Sequence, residues 1–349
     1  MKYINHLIVK KQLKLTGILL LIAAIHSCQS QPATSMHLLT TFHLSGTGGW
    51  DYLAIQPGSE KLYVSHATQV NIVNKTTGDS LGIIPNTTGV HGIAFVPNLN
   101  KGYTSNGRLN TLTVFDLQTA KVLVELPVGQ NPDAIMYDEF SKRLIVCNGR
   151  SNTLSIVDPE IDKVVATVEV GGKPEEAVSN GAGTLFVNIE DKNEIVVIEL
   201  KSQRILHHWS LQPGEAPTGL AIDKATQRLF NTCSDSKLLM ILDARNGDII
   251  NKIPIGAGCD GVVFDEISKC IYASCGEGNI TVIKENSNDS FSKIASLPTK
   301  RGARTIALDV TTHKLYLPTA DFKTTGQSGS RPDMIPNTFQ VMVFGNQNK

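Results

Sequence analysis

Beyond one apolar stretch near its start, the chain carries its hydrophobic residues in short runs rich in Val, Ile, Leu and Thr. Polar clusters separate the runs, such as Asp-Glu-Phe-Ser-Lys at 138–142 and Asp-Pro-Glu-Ile-Asp at 158–162. Alternating, β-branched runs bounded by Asp, Pro, Gly and Ser read as strands closed by tight turns. No later stretch sustains the apolar spacing of an amphipathic helix. The pattern predicts an all-β protein.

The runs also repeat. Segments 103–135, 144–178 and 229–263 can be laid over one another. Aligning the residue that opens each following apolar strand gives one column: Asp51, His91, Asp133, Glu175, Thr218, Asp260 and Arg304. Each unit reads as four strands, in the third unit over 134–137, 143–147, 153–157 and 164–168. Four antiparallel strands in a unit of about 42 residues is the arithmetic of a β-propeller blade. Seven registers therefore predict a seven-bladed β-propeller over 37–345, one domain in a chain long enough for two. The last unit supplies strands at 305–308, 314–317 and 339–344 but no fourth. The run 37–44 has no blade of its own and should pair with the last one, which buries both sheet edges.

The apolar stretch near the start has a different logic. Residues 1–27 hold Lys2, Lys10, Lys11 and Lys14 and no acid, and the apolar run 15–25 follows them. A basic segment before a run this short reads as a secretory signal. It ends in Ile25-His26-Ser27-Cys28, which resembles a lipobox, with His26 as a departure from the usual small or aliphatic residue. The expectation is cleavage before Cys28, lipidation of Cys28, a polar tether over 28–36, and an exported protein held at the cell envelope. Its only link to the membrane would be the N-terminal lipid. The alternative is ordinary signal cleavage near Ser30–Ala33 or an uncleaved N-terminal anchor.

Charge then reads differently. The whole chain balances 32 Lys plus Arg against 32 Asp plus Glu, but removal of residues 1–27 takes four lysines with it, leaving net −4. A mildly acidic surface excludes the simplest nucleic-acid binder. Cys147, Cys233, Cys259, Cys270 and Cys275 remain, an odd number without CxxC or His-spaced metal patterns, mostly within apolar strand runs. No bridge is required.

In a propeller blade, the loop entering the innermost strand and the loop after the second strand share one face. The aligned column should therefore ring the mouth of the central channel. A second column follows the second strands: His66, Asn106, Asn148, Ile189, Cys233, Cys275 and Thr319. The opposite face carries charged, repetitive turns, which turn chemistry alone requires. The candidate ligand site is thus Trp50, Asp51, His66, His91, Asp133, Glu175, Asp260 and Arg304. Carboxylates and imidazoles converging there, with His66, His91, Asp51 and Asp133 as the candidate ligands, could hold a divalent cation or do acid–base work. Arg304 could clamp a carboxylate or phosphate, although an ion pair with Asp260 or Asp51 is the simpler role. Polar residues at a channel mouth also hold water and loop amides with no ligand at all. His207-His208, adjacent on an outer strand, face opposite sides and make a weak metal signal. The Gly/Ser/Pro-rich insertion 321–337 falls on the mouth face and could lie across the channel, bringing Arg331 and Asp333 near Arg304.

The units resemble the YVTN repeat, whose consensus runs roughly YVTNxxSNTVSVIDxxTxKVVATIxVGxxPxGVA. Residues 144–177 follow it nearly position by position, and units two and five follow it well. The whole chain is similar to the YncE-like exported bacterial propellers, including a last blade with LYLPTADF at 315–322 and PNTFQVMVFG at 336–345. Surface-layer, lactonase-like and haem d1-type propellers are related. The resemblance implies export and a propeller but no reaction, since propellers host many functions.

Catalytic signatures are missing: no G-x-S-x-G, no phosphate-binding P-loop, no H-E-x-x-H and no C-x-x-C-H. The favoured expectation is a monomeric binding or scaffold protein taking a small ligand or an envelope protein at the mouth face. The alternative is a metal-assisted, lactonase-like hydrolase or lyase using the same residues.

Overall fold

The computed structural model describes residues 35–323 and 333–346. The expected signal 1–27, the lipid site Cys28, most of the 28–36 tether and Arg331 of the insertion lie outside the described residues.

The strands assemble into seven four-stranded antiparallel sheets. Their innermost strands neighbour one another in chain order around a ring and close from the seventh sheet back to the first. Six blades span 53–84, 90–127, 132–169, 174–210, 217–254 and 259–298. The seventh takes its three inner strands from 307–346 and its outermost strand, Met36–His43, from the other end of the chain. That strand runs antiparallel to Gln340–Asn346, with Phe42 opposite Val341 and His43 opposite Gln340. Phe42, Leu44, Trp50, Phe339 and Val341 then share one core cluster, so the two chain ends are packed as well as hydrogen-bonded. The fold is the seven-bladed propeller that the period predicts.

Two details differ from the sequence pattern. Second and third strands are buried along nearly their whole length, as in Arg143–Asn148 and Thr153–Asp158. Both faces of a blade lie against neighbouring blades there, so alternation toward solvent survives only in outermost strands such as Lys163–Glu169. Secondly, two single-turn 3-10 helices, Pro97–Leu99 and Glu190–Lys192, stand at strand ends. Each is followed by an asparagine in the left-handed region, Asn100 and Asn193, a residue that tolerates it.

On the face opposite the mouth, the turns are less solvated than their charge suggested. Asp138, Asp223, Asp265 and Asp309 are buried. Their carboxylates accept turn backbone N–H groups, for example Ser141 to Asp138 at 2.7 Å and Ala225 to Asp223 at 2.8 Å. These acids shape hairpins, the usual work of Asp at a turn.

Candidate functional site

The geometry of the mouth begins with an irregularity repeated around the ring. In blades 2 to 6 the innermost strand carries a bulge at the aligned column. In blade 2, for example, Val90 pairs with Asn106 and Ile93 with Thr104, so His91 and Gly92 together face Ser105. An extra residue in one strand bends it and re-aims a side chain, here that of the column residue. Side chains of the preceding blade then lock four of the column residues, Asp51, Asp133, Thr218 and Arg304, through their carbonyls. Ser274 donates to the Arg304 carbonyl at 2.6 Å, Asn188 to Thr218 at 2.7 Å, and Ser105 to Asp133. Between blades 7 and 1 the donor is the Thr305 hydroxyl, 2.7 Å from the Asp51 carbonyl.

Five column residues join into one arc of alternating charge. Arg304 sets its Nε 2.7 Å from Asp260 and its Nη2 3.3 Å from Asp51. Asp51 in turn accepts from His91 Nδ1 at 2.6 Å, and Asp133 lies 3.7 Å from the same nitrogen. The arc thus runs Asp260, Arg304, Asp51, His91, Asp133 across blades 6, 7, 1, 2 and 3. Burial alone would lower the His91 pKa, but the Asp51 hydrogen bond and the Asp133 charge outweigh it and lift it to about 9. His91 is therefore a cation at neutral pH. Burial, and the nearness of other carboxylates, push the acids of Asp133 and Asp260 upward. Glu175 is excluded from the arc; it pairs with Lys173 of its own blade at 2.6 Å, while burial and Asp133 push its pKa up. Thr218, uncharged, donates to the Cys259 carbonyl at 2.7 Å.

Asp51, His91 and Asp133 offer ligand atoms that all lie within 4.8 Å of one another, the one such group among the described residues. The donors are already engaged by a protonated imidazole and by Arg304, and both positive charges oppose a cation at the same point. His66 does not join them. It is 3% exposed, stacked on Phe339 at 4.2 Å between ring centroids, and its Nδ1 lies 3.2 Å from the Asn71 amide nitrogen. Burial lowers its pKa, so the two imidazoles differ in charge as well as place. The rest of the second column is likewise buried, including Asn106, Asn148 and Thr319. Asn106 and Asn148 each bond two hydroxyls of the adjoining strand, which is structural work. On the outer rim His208 pairs with Glu194 at 2.8 Å while His207 stacks on Trp209, so the two imidazoles have separate partners.

Trp50 stacks on Phe339 at 5.5 Å and leans on Phe322 at 6.0 Å. Its carbonyl accepts from Arg304 at 3.1 Å, and its buried indole N–H has no hydrogen-bond partner among the described residues. It forms one wall of a groove of about 520 Å³, lined also by Arg301, Arg304, Phe322, Met334 and loop glycines. Gly302 keeps the groove open: its φ is +83°, and a Cβ there would lie 2.9 Å from the Phe322 ring. The described ends of the 321–337 insertion form a short antiparallel base, with Phe322 bridged to Met334 and the Lys323 N–H donating to Asp333 at 2.8 Å. Asp333 faces Lys323, at 3.6 Å.

Below the ring lies a second space of about 170 Å³, lined by Tyr52, Gly92, Ala134, Cys147 and Glu176 among others. Glu176 and Tyr52 were not singled out from the sequence. Burial, then the acids above, push the Glu176 carboxyl up to about 8, against the stabilising Leu220 N–H at 2.9 Å. A signal existed one position past the column: Tyr52, Gly92, Ala134, Glu176, Gly219, Gly261 and Thr305, where a carboxylate interrupts mostly small residues.

No family model matches the chain, and no curated protein matches it as a relative. Among solved structures it is similar to a chain of Kuenenia stuttgartiensis hydrazine synthase, with a TM-score of 0.69 at 15% identity over 79% of this chain and 94% of that one. The likeness concerns the fold: both are propellers.

Proposed function

We propose that this protein is a ligand-binding propeller of the cell envelope, and that its ligand sits on the mouth face between blades 6, 7 and 1. Export, lipidation at Cys28 and membership of the YVTN-type, YncE-like propellers belong to the same proposal. One observation carries it: Arg304 is shared between the charged arc and the groove beside it. The groove offers the apolar surfaces of Trp50, Phe322 and Met334, together with Arg301, whose guanidinium has no partner among the described residues. A concave apolar wall with a few placed polar groups is how small ligands are held. An apolar body carrying one anionic group fits that lining.

The chain has two tryptophans, so Trp209→Phe leaves Trp50 as a sole fluorescent reporter inside the groove. Titration with aromatic and aliphatic carboxylates should give a saturable change in its emission. Arg301→Gln should weaken that response about tenfold, the loss of one charged hydrogen bond. A Trp50 signal indifferent to the whole panel, with a partner protein footprinted to the opposite face, would sink the reading.

The second reading, metal-assisted hydrolysis, rests on the clustering of Asp51, His91 and Asp133. It requires a cation to displace the proton on His91 and to tolerate Arg304.

A further inference from the structure

We propose that Cys259 and Cys275 form a reversible dithiol–disulfide pair at the mouth-side end of blade 6. Cys259 opens the innermost strand, Cys259–Asp265, and Cys275 closes its neighbour, Cys270–Cys275. The two residues stand directly opposite each other in the ladder. Just outside them the Gly276 N–H donates to the Gly258 carbonyl at 2.8 Å. Hydrogen-bonded and open pairs alternate along an antiparallel ladder, so the cysteine pair next to this bond is an open one. Open pairs bring Cα atoms to about 4.5 Å and side chains closest together, inside the Cα range of about 4.4–6.8 Å that a disulfide requires. Both side chains belong to one core cluster, hence to one face of the sheet; the Cys259 thiol donates to the Gly261 carbonyl at 3.7 Å and the Cys275 thiol to the Ala273 carbonyl at 3.6 Å.

The repeat supplies internal controls. The same register position holds Val90 opposite Asn106, Pro132 opposite Asn148, Pro174 opposite Ile189, and Pro217 opposite Cys233. Only blade 6 places sulfur on both sides of this position. The two cysteines also differ in character. Hydrogen bonding from the Cys259 thiol lowers the Cys275 pKa, helped by the Gly256 N–H, whereas burial raises that of Cys259. The lowered pKa favours attack from Cys275, and either order of attack closes the same disulfide.

With a small disulfide such as oxidised glutathione as oxidant, the step balances. The Cys275 thiolate attacks one glutathione sulfur and expels the other half as thiolate. Cys259 then loses its proton to solvent and attacks the Cys275 sulfur, expelling the second glutathione thiolate. Two protein thiols are oxidised, and one disulfide is reduced to two thiols. Both cysteines are buried, but exposed Gly258 and half-buried Gly276 are their next neighbours, so the pair lies one residue beneath the surface. Closure ties together the strand ends that carry Asp260, the partner of Arg304, and Gly276, which lines the groove.

The full chain, reduced and then equilibrated under native conditions with graded ratios of oxidised to reduced glutathione, tests this directly. After acid quenching and alkylation, the expected product lacks two alkyl adducts and carries no glutathione. Tryptic peptide 253–269 should be linked to 270–284. The second peptide also contains Cys270, at the far end of its strand, so Cys270→Ser must keep the link and Cys275→Ser must abolish it. Retention of five alkylated mature cysteines at the most oxidising ratio would overturn the proposal. So would glutathione held as an unresolved adduct, or a link that survives Cys275→Ser. Fragmentation of the linked wild-type peptides between Cys270 and Cys275 decides which is bridged even if a serine variant folds poorly, and it is independent of whether the groove binds anything.

Discussion

The imidazole of His91 donates its Nδ1 proton to the Asp51 carboxylate at 2.6 Å, joining blade 2 to blade 1 at the channel mouth. Its folded pKa of about 9 exceeds the ordinary value of 6.5. A raised folded pKa adds stability that is complete below the unfolded value and is lost as pH climbs through the folded one. Stability of the wild-type protein should therefore decline between pH 6.5 and 9 relative to His91→Gln, by about 2 kcal/mol. Urea denaturation of both proteins across that window measures it. Parallel curves would mean that the proton is not held.

Glu176 adds a second loss of stability with rising pH, over a lower, overlapping range. Its carboxyl is pushed up to about 8 from an ordinary 4.5, so the unfolded chain ionises first and stability falls as pH rises between those values. Glu176→Gln keeps an oxygen for the Leu220 N–H and removes the charge. The variant should match wild type near pH 4 and exceed it above pH 8 by roughly 2–4 kcal/mol. Equal stability at high pH would show that water in the channel solvates the carboxylate fully.

Arg304 holds Asp260 and Asp51 together, and removing it strands Asp260 and leaves Asp51 with His91 alone at a crowded mouth. Arg304→Met should cost about 3 kcal/mol by urea denaturation, because an uncompensated charge outweighs the lost contact. Asp260→Asn in the same background should recover part of that loss. Arg304→Lys should recover less than its charge suggests, since one ammonium cannot reproduce the guanidinium fork across two acids.

Divalent cations discriminate the two functional readings. At neutral pH, Ca, Mg, Mn and Zn should leave the melting temperature unchanged, because His91 is protonated and Arg304 stands 3.3 Å from Asp51. A rise of several degrees that disappears in Asp133→Asn would favour metal-assisted chemistry over binding.

Ring closure rests on the N-terminal strand, where Phe42 packs against the chain's other end. Phe42→Ala should destabilise by about 3–5 kcal/mol, the range for a buried aromatic. Loss of the clasp should also broaden the urea transition, as blade 7 opens before the others.

The repeat made the architecture legible before any coordinates. A four-strand unit can bury both faces only between two copies of itself, so seven units and one orphan strand leave little besides a closed ring. The aligned column was equally legible, because each of its residues opens an innermost strand. Less could be read of His66, which shares the mouth face but is turned into the core against Phe339. Sequence position places a residue at a strand end; it does not choose between the two sides of that end. Glu176 was missed for a related reason, since its significance lies in what the other six blades put at the same height.

By itself, then, the sequence determined a ring of seven blades, its closing strand and the identity of the charges at one mouth. Those follow from local strand periodicity and from the repeat. Tertiary structure decided how the charges pair: Asp260 to Arg304, Arg304 to Asp51, Asp51 to His91, and Glu175 apart with Lys173. The partners within the arc come from different blades, 40 or more residues apart, as His91 and Asp51 do. Packing of blade against blade brings them within bonding distance, and the Arg304–Asp51 pair needs the ring closed between blades 7 and 1. The burial that shifts their proton affinities likewise comes from the assembled blades.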